Sequence, residues 1–334
     1  MTPITRRPLL AALLAAPFAT WAQTARLDKF TVAGWSKPIT EVMPLLVAED
    51  KDFYKAQRIA LAYVPGAGSA DAIRNVLSGQ ADVAFADPGS FFAAIDKGEK
   101  LRAVYDIYPQ NVFNVVSLKG SKIETPADLK GKKIGVYSLA SGTRQALQVL
   151  LHTAGLAESD VTVVVTGLLN FAPLMQGQVD ATAATDTGLL IGRRRGLPDV
   201  NVMEVGKYLP VSSDLFVVRE ETYQHKRALL QRFLRGYRDA AAWMMMRPDE
   251  AAELASKRAI DGTDPTLSVE IIKLRNAASE SELTRKQGLG TMDVASLQAA
   301  ADTYRKLGLV QKPIDVKRYV SNDLLPKQGK GVAG

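Results

Sequence analysis

The stretch Leu77-Ser78-Gly79-Gln80-Ala81-Asp82-Val83-Ala84-Phe85-Ala86-Asp87-Pro88-Gly89 recurs in looser form at Met175-Gln176-Gly177-Gln178-Val179-Asp180-Ala181-Thr182-Ala183-Ala184-Thr185-Asp186-Thr187-Gly188. In both copies a helix end runs through a Gly-Gln turn into a short apolar strand, which stops at an aspartate followed by turn residues. Each copy therefore predicts a carboxylate at the C-terminal end of a strand, where open α/β sheets bind ligands. Two such units predict two similar lobes with a ligand-binding crevice between them.

The segments around these copies alternate between strand and helix patterns. Around the first copy we predict strands at 29–35 and 59–64 and helices at 40–51 and 70–77; such βαβαβ order favours a parallel sheet with helices on both faces. The alternation restarts near residue 111, and 215–218 returns the chain to the first lobe, followed by helices. The sequence thus predicts an α/β protein in which 26–112 plus 214–334 form lobe 1 with C-terminal helices, and 113–213 form lobe 2.

The first 22 residues differ from the rest of the chain. Arg6 and Arg7 precede an apolar run from Pro8 to Phe18, and small residues surround Trp21-Ala22, which is the pattern of a signal peptide. The paired arginines fit a twin-arginine signal, although ordinary secretory signals also carry paired basic residues. We therefore expect export to the periplasm by either route. Cleavage after Ala22 removes two positive charges from the formal +7 and leaves +5.

Composition excludes several classes of function. The chain has 334 residues, 47% of them hydrophobic, and zero cysteines, so it has no disulfide framework, no thiolate nucleophile and no cysteine to carry a lipid anchor. The sequence pI is near 9.4, but its basic residues are scattered among 35 acidic ones, which indicates a solvated surface and no nucleic-acid partner. Beyond the leader no apolar run is long enough to span a bilayer. We expect a freely diffusing monomer.

Four motifs follow one another along the chain: Leu46-Val47-Ala48-Glu49-Asp50-Lys51-Asp52-Phe53-Tyr54, Val76-Leu77-Ser78-Gly79-Gln80-Ala81-Asp82-Val83, Asp128-Leu129-Lys130-Gly131-Lys132-Lys133-Ile134-Gly135-Val136 and Tyr304-Arg305-Lys306-Leu307-Gly308-Leu309-Val310. In this order they resemble the periplasmic substrate-binding proteins of ATP-binding-cassette importers, within the branch that binds sulfonates, taurine, nitrate and thiamine pyrimidines. Lys51-Asp52 stands where that family usually has a glycine.

The resemblance implies a type II periplasmic binding protein fold, whose two lobes are hinged by two crossings and close on a small ligand. A sulfonate, a carboxylate or a nitrogenous heterocycle is the implied ligand, and a permease in the inner membrane is the implied partner, with no cofactor and no metal. Two alternatives stay open: a ligand-sensing partner of a membrane receptor, and an enzyme of thiamine-pyrimidine metabolism. The enzymes of the family use a cysteine-rich motif and histidines, whereas this chain has no cysteine and only His152 and His225. We therefore expect no catalysis.

Candidate ligand donors lie at the predicted strand ends. Trp35 and Ser36 end the first strand, where the indole offers a flat apolar platform or merely packs between helices. A second group surrounds the start of a helix, where free backbone N–H groups favour an anionic or carbonyl oxygen. Ordinary helix capping would explain one of its hydroxyls without a ligand. This group consists of Ser138, Ser141, Gly142 and Thr143.

The repeat itself contributes two carboxylates, Asp87 and Asp186. Facing the crevice, they would hold a cationic or N–H-rich ligand; alternatively, each caps the helix that follows its strand. Asn114 near the first crossing and Asn170 after the strand at 161–165 are further candidates. Donors on one wall and carboxylates on another would suit a ligand that carries both an acidic or carbonyl oxygen and a nitrogen donor.

Overall fold

A computed structural model describes residues 26–167 and 171–326 and arranges their strands in two five-stranded sheets. The predicted leader, residues 1–22, and the candidate Asn170 lie outside the described residues. In chain order the strands are β1 (Asp28–Ala33), β2 (Ile59–Val64), β3 (Val83–Ala86), β4 (Leu101–Tyr108), β5 (Phe113–Leu118), β6 (Lys133–Val136), β7 (Thr162–Val165), β8 (Ala181–Thr185), β9 (Val200–Glu204) and β10 (Asp214–Arg219).

Sheet one has the order β2-β1-β3-β10-β4, and sheet two has the order β7-β6-β8-β5-β9. In sheet one β1 pairs in parallel with β2 and β3, while β10 runs antiparallel between β3 and β4. Sheet two repeats this plan, with β6 parallel to β7 and β8 and with β5 antiparallel between β8 and β9. The predicted two-lobed α/β fold with mostly parallel sheets is confirmed.

Two strands were not predicted from the sequence, β4 and β9. Strand β4 reads LRAVYDIY, and the charges of Arg102 and Asp106 interrupt its apolar pattern, although Asp106 is buried in the structure. Strand β9 reads VNVME and is only half-buried. Since β4 and β9 lie at equivalent outer positions of the two sheets, the repeat extends beyond the stretch that the sequence shows.

Helices cover the faces of both sheets. Their bounds are α1 (Met43–Leu46), α2 (Ser69–Leu77), α3 (Pro88–Asp96), α4 (Gly142–Thr153), α5 (Ala172–Met175), α6 (Asp186–Arg194), α7 (Glu220–His225), α8 (Arg227–Met246), α9 (Pro248–Arg258), α10 (Pro265–Ala278), α11 (Glu282–Gln287) and α12 (Val294–Lys306). The single helix predicted over 40–51 is wrong. Pro44 has no N–H to donate to the carbonyl four residues before it, so only the short α1 forms, between 3₁₀ turns. Among the described helices none has both the length and the apolarity to cross a membrane.

Helix α8 packs its apolar stripe against sheet one. Phe233 stacks on Phe30 of β1 with ring centroids 4.4 Å apart, and Tyr237 meets Phe216 of β10 edge to face at 4.7 Å. All four side chains are buried. The apolar stripe of α8 is therefore part of the core that covers sheet one.

Two crossings, 109–112 and 205–213, connect the sheets and are hydrogen-bonded to each other. The backbone N–H of Val112 donates to Ser213 Oγ at 3.1 Å, and Ser213 N–H donates to the carbonyl of Tyr108 at 2.8 Å. The amide of Asn111 donates to the carbonyl of Leu209 at 3.0 Å. The two connections between the sheets therefore lie side by side.

Candidate functional site

A cavity of about 440 Å³ lies between the two sheets and takes walls from both. It sits beyond the C-terminal ends of β1, β6 and β8, the edge at which α/β sheets bind ligands. Its apolar lining residues are Trp35, Ile39, Val112, Phe113, Tyr137, Ile191, Ile260 and Leu267. Its polar or small lining residues are Glu41, Gly68, Ser69, Ser141, Gly142, Thr143, Thr185, Gly188, Arg194, Arg195, Asp214, Asp261, Thr263, Asp264 and Arg275.

Aromatic rings form one side of the cavity. Trp35, just after β1, meets Tyr137, just after β6, edge to face with centroids 6.2 Å apart. The same indole meets the buried ring of Phe85 edge to face, with centroids 6.4 Å apart. Two neighbouring rings therefore hold the indole in place. Its Nε1 is buried, and no described residue accepts a hydrogen bond from it. The indole is therefore an apolar wall with one unused donor.

The set of residues predicted around the start of α4 lies near the cavity, but their hydroxyls largely bond to one another and to the backbone. Ser141 caps α4 by accepting from the N–H of Arg144 at 3.4 Å, and its own hydroxyl donates to the carbonyl of Ser138 at 2.6 Å. Thr143 Oγ1 accepts from the N–H of Tyr137 at 3.1 Å and lies 2.8 Å from Ser141 Oγ. Capping explains these contacts, and Ser141, Gly142 and Thr143 still line the cavity.

Five other predicted residues that the structure describes do not line the cavity. Ser36 is fully buried and donates to the carbonyl of Lys37 at 2.8 Å. Asn114 is buried in β5, and its Oδ1 has no hydrogen-bond partner among the described residues. The Ser138 hydroxyl donates to the carbonyl of Ala67, which ties the two lobes together. Asp87 and Asp186 are the other two.

Asp87 is the N-cap of α3. Its carboxylate accepts from the N–H and the hydroxyl of Ser90, both at 2.8 Å, and it is 2% exposed. Burial raises the pKa of Asp87 above its ordinary value, while the bonds from Ser90 lower it. The helix-cap interpretation describes this residue, because both carboxylate oxygens already have donors within the protein.

The structure also corrects the alignment of the repeat. With the two Gly-Gln turns matched, Asp87 corresponds to Thr185, and Thr185 likewise caps its helix by accepting from the N–H of Gly188 at 3.2 Å. The matched aspartates are Asp82 and Asp180. Each accepts from a backbone N–H of the neighbouring parallel strand, β1 or β6, at 2.9 and 2.7 Å. The repeated carboxylate therefore fixes strand register and does not mark the ligand site.

Asp186, one residue further on, is the first residue of α6 and pairs with Arg275, which was not predicted as a site residue. Arg275 of α10 is 1% exposed, and its Nη2 donates to Asp186 Oδ1. Its Nη1 lies 3.5 Å from Glu41 Oε2, and Glu41 accepts from the hydroxyl of Thr187 at 2.6 Å. Burial raises the pKa of Glu41, and the guanidinium of Arg275 lowers it. This four-residue network crosses the cleft.

Asp214 is a buried carboxyl at the cavity that the sequence analysis missed. Unlike Glu41 and Asp186, it has no arginine of the described residues within ion-pair distance. It is 6% exposed, it lines the cavity, and no described residue donates a hydrogen bond to it or forms an ion pair with it. Burial raises the pKa of Asp214 well above the ordinary value, the neighbouring Asp87 raises it further, and the charge of Arg275 partly opposes both effects. Asp214 is the first residue of β10, whereas the predicted strand began at residue 215. The polar residue at the start of the strand was therefore not among the predicted site residues.

The histidines lie elsewhere, His152 in α4 and His225 at the end of α7, and neither lines the cavity. Among residues 26–167 and 171–326 no group of three His, Asp or Glu side chains is placed to hold a metal ion. Among the described residues the cavity therefore offers apolar walls, hydroxyls and three groups without a hydrogen-bond partner, namely the indole N–H of Trp35, the Nε of Arg275 and the carboxyl of Asp214.

Comparisons with known proteins agree with this architecture. The chain is 24% identical over 318 residues to the riboflavin-binding protein RibY of Chloroflexus aurantiacus. This alignment covers 93% of this chain and 91% of RibY. The chain is 24% identical over 238 residues to the 4-amino-5-hydroxymethyl-2-methylpyrimidine phosphate synthase THI12 of Saccharomyces cerevisiae, covering 67% and 69%. The alkanesulfonate-binding protein SsuA of Xanthomonas axonopodis, solved with MOPS, superposes with a TM-score of 0.68 at 18% identity, covering 89% and 99%.

The family model described as NMT1/THI5 like matches residues 39–251. That match begins just after Trp35 and ends within α9, so it spans both sheets and both crossings. The match covers well over half of the chain, and the chain belongs to the NMT1/THI5-like family.

Proposed function

We propose that this protein is an extracytoplasmic solute-binding protein, which captures a small organic ligand between its lobes and delivers it to an ATP-binding-cassette importer. The cavity of about 440 Å³ carries the proposal, because both lobes supply its walls and its size is that of a small-molecule site. The names of RibY and SsuA, both binding proteins, support a binding role. We propose a periplasmic monomer that is exported by the leader at 1–22 and is not lipid-anchored.

Ligand capture requires the lobes to move, and we propose that 26–112 with 214–334 moves against 113–213. Direct contacts hold the lobes together here: the N–H of Ala70 donates to the carbonyl of Ala140 at 3.1 Å, and the Arg275 network joins α10 to α6. Opening breaks these contacts, whereas a ligand that touches both walls adds free energy only to the closed form. Closure would then be the signal that a permease, or a sensing receptor in the alternative role, recognises.

The lining favours a flat ring as the ligand. Trp35, Phe113 and Tyr137 present aromatic surface, and aliphatic side chains cover much of the rest. Among the three predicted ligand types, a nitrogenous heterocycle matches this surface better than a sulfonate or a simple carboxylate, whose charge demands a dense set of donors. Riboflavin belongs in any ligand panel because it is named for RibY.

The name of the synthase relative suggests a competing function for this chain, namely the synthesis of a pyrimidine phosphate. This chain has no cysteine, and His152 and His225 lie outside the cavity lining. General acid-base or nucleophilic catalysis would therefore depend on the hydroxyls and carboxyls of the cavity alone. We propose binding without turnover.

A thermal-shift screen of residues 23–334 tests the proposal. The panel holds riboflavin, pyrimidine and thiamine precursors, aromatic acids, sulfonates, nitrate and amino acids. A ligand at 100 times its Kd stabilises the folded protein by about 2.7 kcal/mol, which moves the melting temperature clearly. Recovery of the ligand unchanged after overnight incubation would separate a binding protein from an enzyme, and silence across the panel would count against the proposal.

A further inference from the structure

Three buried polar groups of the cavity lack a hydrogen-bond partner among the described residues: the carboxyl of Asp214, the indole N–H of Trp35 and the Nε of Arg275, whose other two nitrogens face Asp186 and Glu41. We propose that Asp214 is the residue that binds the ligand's charge, and that the ligand is a flat organic cation with an amidinium or ammonium group on a ring. The inference rests on the proposed function and narrows it, since a sulfonate or carboxylate ligand would contradict it.

The topology of sheet one places Asp214 at this point. Strand β10 runs antiparallel to β3, so its first residue lies at the same edge as the C-terminal ends of β1 and β3. Asp214 stands opposite Tyr108, and the next residue, Leu215, stands opposite Ala86, directly before Asp87. The carboxyl is therefore held in the floor of the cavity by a central strand, which is a rigid support for a binding group.

The other carboxyls of the cavity are already engaged. Glu41 accepts from Thr187, and the charge of Arg275 is matched by Asp186 and Glu41. Asp261 accepts from the N–H and the hydroxyl of Thr40, both at 2.8 Å, and Asp264 caps α10. Asp214 is thus the lining carboxyl that has no donor from the described residues.

A buried carboxyl without a hydrogen-bond donor is costly when ionised, and burial accordingly raises the pKa of Asp214. A cationic ligand reverses that balance, because its charge enters the cavity as the missing partner and its N–H groups satisfy the carboxylate. An anionic ligand meets repulsion at the same place. The indole N–H of Trp35 adds a donor for one acceptor atom on the ligand, and the aromatic walls cover the ring.

Three arginines line the cavity, and each works against a cation only weakly. The buried Arg275 lies close enough to lower the pKa of Asp214, but its charge is offset by Asp186 and Glu41. Arg194 is paired with Glu270, with half of its side chain exposed, and Arg195 is exposed to solvent. Solvent screens the charges of these exposed arginines, whereas the carboxyl of Asp214 is buried and its charge is screened less.

Four probes that share one benzene ring test the inference: benzamidine, benzylamine, benzoate and benzenesulfonate. Titration calorimetry and thermal shift are run on residues 23–334 in three forms, namely the unsubstituted chain, Asp214→Asn and the exposed control Asp199→Asn. We expect the two cations to bind and raise the melting temperature, and the two anions to do neither. Asp214→Asn should weaken benzamidine by about thirtyfold or more, because it removes the charge partner and keeps the shape. Asp199→Asn should change nothing.

Benzamidine binding equally well to Asp214→Asn would overturn the assignment. Binding of benzoate or benzenesulfonate in place of the cations would overturn the ligand class and leave a solute-binding protein standing. No shift with any of the four probes would also overturn the inference, while the wider ligand panel decides the proposed function separately. Melting of each variant without probe shows that it is folded, and the probe comparison on the unsubstituted chain does not depend on any variant.

Discussion

The indole of Trp35 and the phenol ring of Tyr137 meet edge to face across the cleft, with centroids 6.2 Å apart and ring planes at 87°. Trp35 follows β1 and Tyr137 follows β6, two strands that hold the same place in their sheets. The two lobes thus present equivalent aromatic positions to one ligand cavity, and their contact depends on the lobes being closed.

Trp35 should report ligand binding directly. Residues 23–334 contain two tryptophans, Trp35 and Trp243, so Trp243→Phe leaves the cavity indole as the single emitter. We expect a ligand found in the screen to change the emission of this variant. Trp35→Phe should weaken that ligand by about tenfold, because it removes the N–H donor and keeps an aromatic ring. Unchanged affinity in Trp35→Phe and unchanged emission on saturation would place the ligand elsewhere.

Arg275 should matter far more to stability than an exposed arginine does. Arg275→Ala leaves the buried Glu41 without its cation, and loss of one partner of a buried pair costs about 3–5 kcal/mol of unfolding free energy. Arg194→Ala removes an exposed pair with Glu270 and should cost about 1 kcal/mol or less. Urea denaturation of both variants gives the comparison. Equal losses would show that the network across the cleft contributes no more than a surface ion pair.

Asp106 should make the protein less stable as the pH rises. Burial raises the pKa of Asp106 to about 8, and Ser212 donates to its Oδ2 at 2.6 Å. Between the unfolded value of 3.8 and about 8 the folded form binds a proton that the unfolded form has released, so folding is favoured below this window and stability falls through it.

This loss from Asp106 amounts to at most about 1.4 kcal/mol per pH unit. Asp106→Asn cannot titrate and still accepts from Ser212, so its unfolding free energy should fall less between pH 5 and pH 8. Urea midpoints at pH 5, 6.5 and 8 measure the difference. Parallel pH profiles for the two proteins would contradict the assignment.

The repeated aspartates should affect folding and not binding. Asp82→Ala and Asp180→Ala each leave a backbone N–H of β1 or β6 without its acceptor, at a cost of about 1–3 kcal/mol. Ligand affinity should stay within about twofold, because neither side chain lines the cavity. Calorimetry on the folded variants checks this, and a large loss of affinity would return the repeat to the ligand site.

How far the sequence predicts this molecule depends on how local each signal is. The Gly-Gln turns and apolar strands of the repeat are local patterns, and they predicted two similar lobes correctly. Asp87 and Asp186 were predicted to bind the ligand because both follow strands. In the structure Asp87 caps a helix, and Asp186 pairs with Arg275, 89 positions away. Asp214 reaches the same edge only because β10 inserts antiparallel beside β3. Such tertiary neighbours leave no trace in a local pattern.

Titration calorimetry of residues 23–334 with the strongest stabiliser from the ligand panel tests the central claim most directly. We predict one binding site per chain, with affinity lost in Trp35→Ala, whose indole wall is gone, and retained in Trp243→Phe, whose substitution lies outside the cavity. A ratio other than one ligand per chain, or equal affinity in the two variants, would contradict capture between the lobes.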